Sequence, residues 1–254
     1  MVSRRRPSSE VSTEPQIGPF PYADYVGARR GLRAALAGPS FYALLSGASG
    51  MGKTCLLREL CAELDRHRYH VFYVSSSRAS LVSVVRFVAQ KLHVTPRRSY
   101  LETVDVLAEA IAAQTAHLLL WVDEAHEVEP AALQEVRMLA ESSLGCVQLF
   151  SVVLSGLPPL LSLLDAPALF PLKRRITLRW TLAGLRRDEL DPFLGHRFGA
   201  ADAERVPLSV RDELFERTQA TPALLDRVVR QALRSTEGPL DPEHTRAALD
   251  LAGL

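Results

Sequence analysis

The octapeptide at residues 47–54, Gly-Ala-Ser-Gly-Met-Gly-Lys-Thr, constrains the fold more than any other stretch of the chain. It fits the P-loop pattern of Gly, four free positions, Gly, Lys and Ser or Thr. The apolar run 41–45 before it predicts a short buried strand, and the leucines at helical spacing in 55–64 predict a helix after it. The sequence therefore predicts a loop that joins a strand to a helix, which is the context this motif requires.

Such a loop binds phosphate because its backbone N–H groups lie at a helix N-terminus, where unpaired donors and the helix dipole favour an anion. Lys53 is expected to reach the β- and γ-phosphates of a nucleotide, and Thr54 to place its hydroxyl on Mg²⁺. The predicted ligands in and next to the loop are Gly47, Ala48, Ser49, Gly50, Met51, Gly52, Lys53, Thr54 and Cys55.

A second candidate centre is the run Leu-Leu-Leu-Trp-Val-Asp-Glu-Ala-His at residues 118–126. Its continuous apolar part predicts a parallel strand that is covered on both faces. The carboxylates that follow lie at the end of the strand where ligands of such sheets bind. We expect Asp123 to hold the Mg²⁺ ion and Glu124 to polarise the attacking water.

Three further groups are predicted to contact nucleotide. A turn that contains Tyr25, Val26 and Gly27 is a candidate adenine site, because a flat apolar slot with backbone hydrogen bonds suits that base. Ser155 directly follows the next predicted strand, at 147–154, and is a candidate sensor of the γ-phosphate. Arg174 or Arg175 is a candidate finger toward the nucleotide of a neighbouring subunit, with a structural salt bridge as the alternative.

The formal charge of +1 over 254 residues gives no bulk electrostatic signal for a polyanion partner, although a local basic patch remains open. Arg97 and Arg98, in a predicted helix-connecting loop, are candidate DNA-backbone contacts, with ordinary exposed charge as the alternative. Three cysteines without paired spacing favour reduced thiols and a cytoplasmic location. No stretch approaches the roughly 18 apolar residues of a membrane span.

The order of predicted elements indicates an α/β class, with a parallel sheet between helices and a small C-terminal helical lid. Predicted helices cover about 79–92, 100–116 and 130–139, and then 187–198, 208–218, 222–235 and 242–252 in the lid. The predicted organisation is a mobile Ser-, Pro- and Arg-rich tail over 1–19, a nucleotide-binding core over 20–186 and the lid over 187–254.

The chain resembles the AAA+ ATPases over roughly residues 19–252, and within them the ExeA-like branch with the transposition ATPases TniB, TnsC and MuB. The segments 132–139, 153–160 and 172–176 are similar to motifs of that branch and follow in the same order. The resemblance implies ATP and Mg²⁺ as cofactors, catalysis by Glu124, an arginine finger at Arg174 or Arg175, and oligomers with ATP at the subunit interfaces.

The sequence departs from the branch at two sensor positions. Leu157 stands where the sensor strand commonly carries a polar residue, and Ala223 stands where the lid commonly carries an Arg. Arg227, one helical turn further on, is the candidate substitute. These departures predict slow or partner-dependent hydrolysis.

The leading hypothesis is an ATPase that assembles with ATP on double-stranded DNA and recruits or regulates a transposase or another recombination enzyme. The sequence ends at Leu254 without the membrane span and cell-wall-binding segment of secretion-type ExeA proteins, which favours work on DNA and no membrane partner. One alternative is a cytosolic ATPase that drives assembly of a secretion or other protein machine. Another is a nucleotide-dependent switch with little turnover.

Overall fold

The computed structural model describes residues 18–75, 84–141, 148–236 and 238–254. Within these ranges a single sheet has the strand order β2-β3-β4-β1-β5, and every adjacent pair is parallel. The strands are β1 (Tyr42–Gly47), β2 (Tyr69–Ser75), β3 (His117–Asp123), β4 (Ser151–Gly156) and β5 (Ile176–Leu182). The P-loop strand β1 lies beside β4, which lies beside β3.

Helices cover both faces of this sheet. Successive residues of β1 belong to different buried clusters, with Ala43 and Leu45 on one face and Tyr42 and Leu44 on the other. The predicted α/β class with a sandwiched parallel sheet is therefore confirmed. The helices before the C-terminal region are α1 (Ala23–Leu36), α2 (Lys53–Glu63), α3 (Val84–Lys91), α4 (Tyr100–Ala112), α5 (Pro130–Ala140), α6 (Pro159–Leu163) and α7 (Phe170–Arg175).

The C-terminal region is helical. It consists of α8 (Leu190–Glu204), α9 (Leu208–Arg217), α10 (Pro222–Ser235) and α11 (Pro242–Ala252). Buried residues of these helices, such as Phe193 and Leu225, share one apolar cluster with α1 and α2. No helix in the described ranges is both long and apolar enough to cross a membrane.

The structure corrects several predicted element boundaries. Val26 and Gly27 lie inside α1 instead of in a turn, because Tyr25, Ala28 and Leu32 bury one face of a continuous helix. The helix predicted over 79–92 is described only as α3, since 76–83 lie outside the described residues, as do 1–17 of the predicted tail.

Strand β4 begins later than predicted, at Ser151. Residue 147 lies outside the described residues, and Gln148 precedes the strand. The Gln148 side chain donates hydrogen bonds to the carbonyls of Phe41 (3.1 Å) and Phe150 (2.7 Å). A side-chain amide therefore satisfies the carbonyls that directly precede β1 and β4.

Candidate nucleotide-binding site

The P-loop connects the end of β1 to the start of α2 at the carboxyl edge of the sheet. Gly50 and Gly52 have φ angles of +82° and +89°, a region that residues with a side chain rarely adopt. A Cβ at Gly50 would also lie 2.9 Å from Cβ of Ala223, at the start of α10. The backbone N–H of Ala223 donates to the Gly50 carbonyl (3.3 Å), so α10 contacts the loop directly.

Lys53 lies in the first turn of α2, and its side chain folds back over the loop. Its ammonium group donates to the carbonyls of Gly47 (2.8 Å) and Ala48 (3.0 Å), and only 5% of the residue is exposed. Burial lowers the pKa of Lys53, while the nearby Glu124 and Asp123 carboxylates act in the opposite direction. The cation is thus held inside the loop that the motif predicts to surround phosphate.

Asp123 is the centre of a hydrogen-bond network at the end of β3, and it is 3% exposed. Its Oδ2 accepts from the hydroxyls of Thr54 (2.9 Å) and Tyr73 (3.2 Å). Its Oδ1 accepts from the Ser155 hydroxyl (2.6 Å) and the Glu124 N–H (3.1 Å). The two predicted Mg²⁺ ligands, Thr54 and Asp123, are therefore in direct contact although 69 residues separate them.

Ser155 contacts Oδ1 of this carboxylate, whereas Thr54 contacts Oδ2, and Ser155 is fully buried. Its hydroxyl accepts a hydrogen bond from Nε1 of Trp121 (2.8 Å) and donates to Asp123. This geometry makes Ser155 a support of Asp123. Its predicted role as a phosphate sensor stays a prediction.

Glu124 follows Asp123 in a left-handed backbone conformation, with φ of +51°. Its side chain is 39% exposed, and Oε2 lies 3.4 Å from Nδ1 of His126. The same nitrogen accepts from the backbone N–H of Leu157 (3.4 Å), just after β4. Glu124 is therefore a partly exposed carboxylate next to the buried, hydrogen-bonded carboxylate of Asp123.

An apolar cavity of about 320 Å³ opens beside the loop. Tyr25, a predicted adenine contact, lines it together with Cys55 and the loop residues Gly50, Met51 and Gly52. Residues that the sequence reasoning missed complete the lining: Pro19, Phe20, Tyr22, Phe193, Arg197, Pro222, Ala223 and Asp226. Such a cavity, with aromatic walls and few polar groups, suits a nucleobase.

Other predicted residues lie away from this cavity. Val26 is 45% exposed on α1, and neither it nor Gly27 lines the cavity. The Arg227 guanidinium donates to the Ala252 carbonyl (2.6 Å), at the end of α11. Arg97 and Arg98 are exposed in the loop between α3 and α4.

The missed cavity residues have no local sequence signal. Phe20 and Phe193 are separated by more than 170 residues, yet their rings meet edge to face with centroids 5.6 Å apart. Tyr22 immediately precedes α1. Its hydroxyl donates to the Met51 carbonyl (2.7 Å) and so ties the N-terminal segment to the loop.

Parts of this chain are similar in sequence to known proteins. Residues 42–164 match the family model described as "AAA domain". General secretion pathway protein A from Aeromonas hydrophila is 27% identical over 199 residues, which cover 73% of this chain and 36% of that protein. The chain therefore spans only about a third of the curated relative that it matches.

Solved structures share the fold. Cdc6p from Pyrobaculum aerophilum has a TM-score of 0.63 at 16% identity, over 92% of this chain and 69% of that one. The Aeropyrum pernix ORC1 protein in complex with DNA has a TM-score of 0.57 at 19% identity, over 92% and 65%. These structural similarities show the fold alone, and the sequence match to the AAA domain model covers residues 42–164, which include the P-loop, Asp123 and Glu124.

Proposed function

We propose that this chain binds Mg²⁺-ATP at the loop and hydrolyses it. The observation that carries the proposal is the contact of Thr54 with Asp123 beside the buried Lys53 ammonium, because these are the groups that a nucleotide's metal and phosphates require. The bound metal would neutralise charge on the phosphates. Lys53 would orient the terminal phosphates, and Glu124 would accept a hydrogen bond from the attacking water.

Arg174 is the better candidate of the two predicted arginine fingers. Arg175 pairs with Glu141 through Nε at 3.1 Å, and Lys173 pairs with Asp165. Within the described residues, Arg174 is exposed and has no hydrogen bond or ion pair. Of the three cations at the end of α7, Arg174 is therefore the one without an ion pair to another described residue.

The position of Arg174 favours action on a neighbouring subunit. It precedes Ile176, which pairs with Tyr42 at the start of β1, whereas the P-loop follows Gly47 at the other end of that strand. Five to six residues of strand at about 3.3 Å each separate the two ends by roughly 17–20 Å. An oligomer that brings Arg174 to the next subunit's nucleotide would complete the site.

Mixing two inactive variants tests this arrangement. Arg174→Ala keeps its P-loop, and Lys53→Ala keeps its arginine, so each is expected to be inactive alone while a mixture recovers part of the hydrolysis. Loss of an arginine finger lowers turnover by about 10³-fold or more. Arg175→Ala should retain more activity than Arg174→Ala. A mixture as inactive as its components, under conditions where both variants co-assemble, would contradict action between subunits.

The assembly proposed for this ATPase forms on double-stranded DNA and regulates a transposase or another recombination partner. Support comes from the resemblance of the segments 132–139, 153–160 and 172–176 to transposition ATPases, and from the similarity in fold to an ORC1 protein that was solved with DNA. The partner is identified by that resemblance alone.

A second candidate is an ATPase that drives assembly of a protein machine without DNA. The similarity to general secretion pathway protein A favours it. Sedimentation of the purified protein with and without duplex DNA, in ATP and in ADP, at two salt concentrations separates the two. Large assemblies that need both ATP and DNA and dissolve at higher salt would support the DNA-bound regulator. Oligomers that form with ATP alone and ignore DNA would support the second candidate.

A further inference from the structure

Charge is unevenly distributed along this nearly neutral chain. Residues 66–101 contain seven of its 30 lysines and arginines and none of its 29 aspartates and glutamates. Three of the seven histidines also fall in this segment. The remainder of the chain is consequently acidic, so the segment is a local positive region in a protein whose total charge is +1.

The structure leaves these charges exposed. Six of the seven cations are exposed and form no ion pair within the described residues, namely Arg66, Arg68, Arg86, Lys91, Arg97 and Arg98. The seventh, Arg78, lies outside the described residues. Several arginines of the C-terminal region instead pair with acidic neighbours, as Arg187 does with Asp212 and Arg211 with Asp191.

Packing brings part of this charge into one concave site. An open cleft of about 490 Å³ runs along edge strand β2 and the end of α3, and Arg66, His70 and Lys91 line it. We call these three residues the basic cleft. The Lys91 ammonium lies 5.7 Å from the centre of the Phe87 ring, which fixes its stem on α3. The loop that follows Lys91 carries Arg97 and Arg98 and is held by a hydrogen bond from the Arg97 N–H to the Thr103 hydroxyl (2.9 Å).

We propose that the basic cleft binds the phosphate backbone of duplex DNA. The inference rests on the proposed function and names the surface that would carry its DNA contact. Exposed guanidinium and ammonium groups without internal acidic partners can each replace a counterion on a phosphate. Arginine in particular matches phosphate oxygens with two parallel donors. Several exposed cations on one segment suit a polymer of regularly spaced phosphates, and Arg97 and Arg98 add two of them in the loop that follows Lys91.

The basic cleft lies toward the amino ends of the strands, whereas the candidate nucleotide site lies at their carboxyl ends. Tyr69, at the start of β2, pairs with His117 at the start of β3, whereas Asp123 ends β3 beside the P-loop. Charge removal in the cleft should therefore change DNA binding without touching the groups that hold ATP.

The test compares the double variant Arg66→Gln/Lys91→Gln with Arg217→Gln/Arg234→Gln. The second pair removes the same charge from two exposed C-terminal arginines that also form no ion pair within the described residues. Binding of a 30-base-pair fluorescent duplex is measured by anisotropy at several salt concentrations with ATP present, and ATP binding is measured in parallel.

The cleft variant should bind DNA on the order of tenfold more weakly per removed cation at 0.1 M salt, with a salt slope smaller in magnitude by about 1 per cation. The control pair should bind DNA like the wild type, and all three proteins should bind ATP equally. If the cleft variant binds DNA as tightly as the wild type, the cleft proposal is overturned while DNA assembly stands. If the wild-type protein ignores DNA, the proposed DNA function fails and the cleft proposal fails with it.

Discussion

Two serines on β4 allow the hydrogen bond from Ser155 to Asp123 to be tested against a matched control. Ser151 and Ser155 are both fully buried, and each hydroxyl is hydrogen-bonded to more than one group. Ser155 joins Trp121 Nε1 to Asp123 at the nucleotide edge. At the other end of the strand, Ser151 accepts from the Phe41 N–H (3.2 Å) and lies 2.8 Å from Nε2 of His117.

Both Ser→Ala variants should lose similar stability. Ser155→Ala leaves the Trp121 indole N–H without its acceptor, and Trp121 is only 3% exposed. Ser151→Ala does the same to the Phe41 N–H. An unsatisfied buried donor costs about 1–3 kcal/mol. For a chain of this size each kcal/mol lowers the melting temperature by about 2–4 °C, so both midpoints should fall by roughly 2–12 °C.

Only Ser155→Ala should impair ATP hydrolysis. It removes one of the two donors to Oδ1 of Asp123, and loss of a group that orients a metal ligand costs about 10–100-fold in metal affinity or activity. The assay is steady-state ATPase activity against Mg²⁺ concentration, well below both melting temperatures. Ser155→Ala should need more Mg²⁺ for half-maximal activity, while Ser151→Ala should match the wild type. Equal losses in the two variants would refute the proposed support of Asp123.

Three other predictions concern the loop, its thiols and the C-terminal helices. Gly50→Ala should weaken ATP binding in calorimetry and lower the melting temperature, because an alanine in the left-handed conformation costs about 1–2 kcal/mol and its Cβ would clash with Ala223. Unchanged ATP binding would show that the contact between Gly50 and Ala223 is dispensable. Burial raises the pKa of the Cys61 thiol to about 11, so at pH 8 Cys61 should carry about a hundredfold less thiolate than an ordinary cysteine and alkylate slowly. The exposed Cys55 lines the cavity, so it should alkylate fast and be protected by ATP. Equal alkylation rates of Cys55 with and without ATP would place the nucleotide elsewhere. Arg227→Ala should leave ATP affinity within about twofold in the same calorimetry, since its guanidinium binds a carbonyl of α11; a tenfold loss would restore it as a nucleotide sensor.

Local patterns were enough to predict the parts of the site that come from single segments. The P-loop requires its residues at fixed spacing, and the continuous apolar run of β3 is typical of a strand buried on both faces. The contact of Thr54 with Asp123 followed from these two predictions, because parallel strands of one sheet, here β1 and β3 with β4 between them, end at the same edge.

The missed features depend on contacts between distant segments. The buried link from Trp121 through Ser155 to Asp123 needs the register of β3 against β4, which the sequence does not specify. The wall of the cavity needs the packing of Phe20 on Phe193, far apart in the chain. The turn expected at Val26 and Gly27 was wrong because the helical burial pattern of α1 overrides a single glycine.

The most direct test of the central claim measures ATP binding and turnover for the wild type, Lys53→Ala and Glu124→Gln under identical conditions. Lys53→Ala should bind ATP much more weakly, since it lacks the cation that the loop holds. Glu124→Gln should bind ATP like the wild type but fail to hydrolyse it, and so accumulate in the ATP-bound assembly. Equal loss of ATP affinity in both variants would contradict the assignment of Glu124 as the group that activates water.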